Sequence, residues 1–104
     1  MQEPALLAVL DGAENGRRIR VAGQLTVGRD DDAGLLLDDP EISRAHATLV
    51  PADGGLEIRD LGSLNGTWVN GERISSPTVL APGDVVKVGT TRIEVLAVGG
   101  RGLA

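Results

Sequence analysis

Leu56-Glu57-Ile58-Arg59-Asp60-Leu61-Gly62-Ser63-Leu64-Asn65-Gly66-Thr67-Trp68-Val69-Asn70-Gly71 carries both signals from which the fold is read. Leu56 and Ile58 alternate with Glu57 and Arg59, the period-2 pattern of a strand with one buried face. Gly62, Asn65-Gly66 and Asn70-Gly71 then interrupt the chain in quick succession. Asn-Gly is a tight-turn dipeptide because both residues tolerate positive φ. A run broken this finely suits short strands and excludes a helix of ordinary length.

The pattern repeats on either side. Arg18-Ile19-Arg20-Val21 and Thr91-Arg92-Ile93-Glu94-Val95 alternate in the same way, and Val86-Lys87-Val88 is a shorter case. Ala5 to Leu10 is more continuously apolar, as a strand with less solvent contact should be. Asp11-Gly12, Asn15-Gly16, Gly23, Gly28, Asp53-Gly54-Gly55, Pro82-Gly83-Asp84 and Gly89 read as further turns. The spacing predicts strands near 5–11, 17–21, 24–28, 35–37, 45–50, 56–60, 67–69, 79–80, 85–88 and 91–97. About ten strands of this kind imply an all-β sandwich of two antiparallel sheets. One domain is expected over residues 1–98, with the Gly-rich 99–104 as a flexible tail or the start of a linker.

Composition narrows the function classes. The chain has 104 residues, 41% of them hydrophobic, and Trp68 is its one aromatic ring, expected in the core. Without cysteine there is no disulfide, thiolate nucleophile or Cys-ligated zinc. No apolar run approaches the roughly 20 residues of a membrane span. The N-terminus lacks the basic and apolar segments of a secretory signal, so a cytoplasmic protein is expected. Net charge is −5, with acidic runs at Asp30-Asp31-Asp32 and Asp38-Asp39-Pro40-Glu41 that read as surface charge. Such a balance argues against sequence-independent nucleic-acid binding, which needs many cations against phosphate. A bound anion must be held by a few local groups.

The polar residues between strands are the candidates for that work. Arg29 follows the glycine that ends a strand and should project from a sheet rim. Its guanidinium fork suits phosphate or carboxylate, the alternative being pairing with Asp30 to Asp32. Ser43 offers a hydroxyl beside a turn, or merely caps that turn. Arg44 either adds a second charge or points to solvent. His46, the only histidine, reads as a brace between two loops. No nucleophile-elbow pattern surrounds Ser43, and a Ser-His hydrolase also needs an acid and an oxyanion hole. One histidine with no cysteine supplies no metal site, and the acidic runs lack the spacing of an EF-hand loop. Asn65 opens a turn, and its amide can also hold a peptide main chain.

Order and separation join these pieces. Gly28-Arg29, then Ser43-Arg44-Ala45-His46, then Leu61 to Gly71, closely resemble the signature of the forkhead-associated (FHA) domain. The resemblance runs from about Leu6 to Val98 and takes in the turn Leu80-Ala81-Pro82-Gly83-Asp84 before a Val-rich strand. It implies an eleven-stranded, FHA/SMAD-like β-sandwich that binds phosphothreonine peptides in Ser/Thr kinase signalling through loops at one end. No catalysis, cofactor or metal is implied, and no nucleic acid or membrane as partner. By position, Arg29 would contact the phosphate, Ser43 would donate to it, and Arg44 would add a variable phosphate or peptide contact. Asn65 would bond the peptide main chain, while Gly28, His46 and Gly66 hold the loops in place. One position departs from the family: Leu64 stands where Ser or Thr is frequent, and Ser63 is the expected substitute through its backbone or side chain. The partner is expected to be a phosphothreonine protein with basic flanking residues, because carboxylates surround Arg29 and Glu41 lies near Ser43. The domain itself is expected to be monomeric or weakly dimeric. The competing reading is an FHA-like scaffold that binds protein without phosphate.

Overall fold

The structure, a computed structural model, describes residues 2–52 and 55–101. These residues form short strands and no helix: β1 (Gln2–Glu3), β2 (Ala5–Val9), β3 (Arg18–Val21), β4 (Leu25–Gly28), β5 (Leu35–Leu36), β6 (Ala47–Ala52), β7 (Gly55–Asp60), β8 (Thr67–Val69), β9 (Glu72–Arg73), β10 (Thr78–Leu80), β11 (Val85–Val88), β12 (Thr91–Ala97) and β13 (Gly100–Arg101). A six-stranded sheet has the order β3-β2-β12-β11-β8-β9, and a five-stranded sheet the order β10-β7-β6-β4-β5. Within these two sheets every pairing is antiparallel except β4 with β5.

Alternation decides which face is dry. Leu7, Val9, Ile19, Val21, Val86, Val88, Ile93 and Val95 from the larger sheet are buried, as are Val27, Leu49, Leu56, Ile58 and Leu80 from the smaller. All belong to one apolar cluster, so the sheets share a core of aliphatic side chains. Burying each such side chain stabilises the fold by roughly 1.5–3 kcal/mol. Trp68 corrects the sequence reading. It is only half-buried and lies outside the core, with its indole N–H donating to the Asn65 carbonyl at 3.2 Å.

Expected strands appear with ends shifted by two residues or fewer. Asn70 and Gly71, at φ 52° and 84°, form the anticipated two-residue turn. The turn joins β8 to β9, a strand absent from the sequence expectation because Glu72 and Arg73 carry no apolar alternation. Within the stretch 99–104, expected as a flexible tail or the start of a linker, Gly100 and Arg101 pair with Glu3 and Gln2. Residues 102–104, and Asp53 and Gly54 of one expected turn, lie outside the described residues.

The topology brings four connections to one end of the sandwich: 29–34, 37–46, 61–66 and the β11–β12 turn at Gly89 and Thr90. Hydrogen bonds among them, described next, establish the grouping.

Candidate functional site

Gly28 ends β4 against the main chain of the 37–46 connection. A Cβ at Gly28 would lie 1.9 Å from the Arg44 carbonyl oxygen, so no other residue fits this approach. Beyond β4 the contact continues as a short ladder. The Arg29 amide donates to the Ser43 carbonyl and the Asp30 amide to the Arg44 carbonyl, both at 3.2 Å. Arg29 and Ser43 are therefore neighbours at one end of the molecule.

The Arg29 side chain is fixed but not consumed. Its Nε donates to the Ile42 carbonyl at 2.7 Å. Among the described residues it makes no ion pair, so the alternative of pairing with Asp30 to Asp32 is not what forms. Both terminal nitrogens of the guanidinium remain unengaged there. The Ser43 hydroxyl accepts from the Leu64 amide at 3.1 Å, which leaves its own proton to donate. Arg44 is exposed beside it, with no side-chain hydrogen bond among the described residues.

His46 is fully buried and couples two loops. Its Nδ1 accepts from the Ser43 amide at 3.1 Å, so the ring proton sits on Nε2 and is donated to the Gly66 carbonyl at 2.8 Å. The ring thus meets the Ser43 main chain and not its hydroxyl, the geometry of a brace rather than of a catalytic dyad. Gly66, at φ 86°, is held in turn by its amide donating to the Ser63 hydroxyl at 3.0 Å.

Ser63, the expected substitute for the Ser or Thr frequent at position 64, is held within its own loop. Its side chain is buried and donates to Asp60 Oδ1 at 2.6 Å, while its amide donates to Asp60 Oδ2 at 3.0 Å. Backbone and hydroxyl are both committed inside the loop. Leu64, by contrast, is 84% exposed at the rim. Asn65 points its amide nitrogen at Glu41, donating to the main-chain carbonyl at 2.9 Å and to the carboxylate at 3.1 Å. Its side-chain carbonyl makes no hydrogen bond among the described residues and stays free to accept.

Two aspartates outside the sequence-predicted site hold these loops. Asp60 accepts from Gly62, Ser63 and the Thr67 hydroxyl. Asp39 belongs to a run that reads as surface charge, but it is 5% exposed. It accepts from the Glu41 amide at 2.9 Å and from the Thr90 amide and the Thr90 and Thr91 hydroxyls at 2.8 Å. This ties the 37–46 connection to the β11–β12 turn. A sequence signal exists in both cases: aspartate followed two residues later by a bonded amide is an Asx turn, and Asp39-Pro40 and Asp60-Leu61-Gly62 favour one.

Burial raises the affinity of each carboxyl for its proton, but the converging donors outweigh it and hold both below the ordinary aspartate value of 3.8. A carboxyl with a depressed folded-state pKa contributes stability above its unfolded value and loses it as pH falls through the folded value. Acid unfolding should therefore begin as pH drops below about 4. Asp39→Asn removes the charge and turns one acceptor into a donor facing donors. It should destabilise the domain by about 2–3 kcal/mol at pH 7 and flatten the acid limb of stability. Urea melts from pH 7 to pH 3 measure both effects, and an unchanged acid limb would exclude Asp39 as a contributor.

Residues 25–89 match the family model of the FHA domain, a span that contains Gly28, Arg29, Ser43, Arg44, His46, Ser63, Asn65 and Gly66. Over 93 residues the chain is 42% identical to the glycogen accumulation regulator GarA of Mycolicibacterium smegmatis, covering 88% of this chain and 58% of that protein. It thus spans little more than half of that relative. Mycobacterium tuberculosis EmbR, solved in complex with a low-affinity phosphopeptide, superposes with a TM-score of 0.84 at 30% identity, over 99% of this chain and 27% of that one. An FHA domain solved in work on phosphothreonine-dependent interactions gives 0.79 at 29% identity, over 97% of this chain and 99% of that one. A chain whose loops converge as described, and whose sequence matches the family model over residues 25–89, belongs to the FHA-domain family.

Proposed function

We propose that this domain binds phosphothreonine-containing protein segments as a non-catalytic module of Ser/Thr kinase signalling in the bacterial cytoplasm. The observation that carries this reading is the pairing of Arg29 with Ser43. A guanidinium anchored through Nε to Ile42 and a hydroxyl with a free proton belong to residues whose main chains are hydrogen-bonded, in a chain whose net charge is −5. Arg44 adds a second exposed cation, and the Asn65 carbonyl is available to a peptide N–H. Gly28, His46 and Gly66 position these groups without touching the ligand. No cofactor or metal enters the reading.

The ligand that fits is a dianion with three acceptor oxygens on an extended peptide. Calorimetry with matched phosphorylated and unphosphorylated threonine peptides tests it: binding should require the phosphate. Equal affinity for the unphosphorylated peptide would favour the phosphate-independent scaffold, which the exposed Leu64 would suit.

Flanking preference follows from charge. Asp30, Asp31, Asp32, Asp38 and Glu41 are all exposed around the same loops. A degenerate phosphothreonine library should be enriched for Lys and Arg beside the phosphate. Glu41→Gln keeps an acceptor for Asn65 and should reduce that enrichment. Selection of acidic residues would refute the preference.

A further inference from the structure

The six-stranded sheet presents a second surface, unrelated in charge to the acidic rim. Arg73 stands opposite Trp68 across β9 and β8, Trp68 opposite Lys87 across β8 and β11, and Lys87 opposite Arg92 across β11 and β12. Directly opposed residues project from the same face, so these four side chains form one row across four strands. On β3, Arg18 and Arg20 alternate with buried Ile19 and Val21 and so point outward on the same side. Against these cations the outward positions of the strands carry Glu94 alone. Asp11, from the connection after β2, reaches Arg92 with two bonds of 2.9 Å. In a chain of net charge −5 this face is locally basic.

The face is also shaped and anchored. Trp68, Asn70, Gly71, Val85, Lys87 and Arg92 line an open groove of about 580 Å³. The indole is fixed by its bond to the Asn65 carbonyl. Arg73 lies against Gly66, where a Cβ would come within 2.5 Å of its Nε. The row therefore begins directly beneath the loop that carries Asn65 and runs away from it. Half-exposed Leu6, Ala8, Val85 and Leu96 sit among the cations on the same outward positions. A track for single-stranded nucleic acid needs successive aromatic platforms, and this face has one. Mixed cations and aliphatics on a flat sheet instead complement an acidic peptide with apolar residues interspersed.

We propose that the outer face of the six-stranded sheet is a second docking surface, on which an acidic segment of a protein partner lies along the Arg73–Trp68–Lys87–Arg92 row without need of phosphate. Starting at Gly66, the row allows one partner to engage both surfaces.

Trp68 is the only aromatic residue of the chain, so its emission reports on this face specifically. The probe is an unphosphorylated peptide of about twelve residues, long enough to cross four strands, alternating Glu or Asp with Leu or Val. Titration at low salt should change Trp68 emission saturably, and the response should fade above roughly 0.3 M salt as exposed charges are screened. Lys87→Glu should weaken binding roughly tenfold, and Arg20→Glu on edge strand β3 severalfold. A thermal midpoint near that of the unsubstituted chain checks that each variant is folded. Arg29→Ala should leave this titration unchanged, which separates failure here from failure of the phosphothreonine reading. No saturable response, or equal affinity in both charge-reversal variants, would overturn the proposal. So would a single-stranded oligonucleotide of equal charge that binds as tightly as the peptide.

Discussion

Replacing Arg29 with alanine should weaken phosphothreonine-peptide binding at least ~100-fold while leaving a folded domain. The guanidinium donates through Nε to the carbonyl of Ile42, the residue before Ser43, which leaves its two terminal nitrogens without a partner among the described residues. Hydrogen bonds to a charged group are worth roughly 1.5–3 kcal/mol each, and a phosphate dianion engages both nitrogens in parallel. The folded state loses one side-chain-to-main-chain bond at an exposed position, a change of about 1 kcal/mol. Calorimetry with one phosphothreonine peptide and a thermal melt separate the two effects. Arg29→Lys is the informative companion, because a single ammonium cannot hold Ile42 and a phosphate oxygen as a planar fork does. It should recover only part of the affinity. Undiminished binding in Arg29→Ala would remove Arg29 from the site.

Gly28→Ala should have the largest effect on the fold among small substitutions at this end. The added methyl would lie 1.9 Å from the Arg44 oxygen and 2.8 Å from its carbonyl carbon, so main chain must move against main chain. Overpacking of this kind destabilises by about 3 kcal/mol, which lowers the melting temperature of a domain this size by roughly 10–20 °C. The same movement breaks the bonds from Arg29 and Asp30 to Ser43 and Arg44, so phosphopeptide affinity should fall with stability. Gly23→Ala is the control, because a methyl there would meet nothing within 4 Å and the backbone lies outside the left-handed region. Equal melting temperatures for the two variants would show that the end of β4 separates from Arg44 at little cost.

The residues whose roles are legible in the sequence share a property: their local surroundings along the chain restrict them. Asn70-Gly71 reads as a hairpin turn because both residues accept positive φ, and the turn forms there. Ile19, Val21, Ile93 and Val95 declare their buried face by alternation alone. His46 reads as a brace because no catalytic companions surround it, and both ring nitrogens meet main-chain groups. Trp68 and Asp39 depart from expectation for the opposite reason. A tryptophan between two turns has no periodicity to assign it a face, and pairing with Lys87 and Arg73 puts it outside. An aspartate in an acidic run looks solvated until Thr90 and Thr91, some fifty positions away, arrive to bond it. Ser63 is held locally, its amide and hydroxyl both donating to Asp60 three residues before it.

The chain by itself therefore determined the strand pattern, the turns and the identity of the loop residues, because those follow from side-chain period and backbone freedom within a few positions. Which groups remain free to meet a ligand was decided only by the tertiary structure. Arg29 and Ser43 meet partners thirteen and twenty-one residues away, and Asp39 meets partners more than fifty away, all chosen by how two sheets pack and which connections share an end. Arg29 keeps two nitrogens and Ser43 keeps its proton because of the neighbours the fold supplies, whereas Ser63 is held by Asp60, three residues before it.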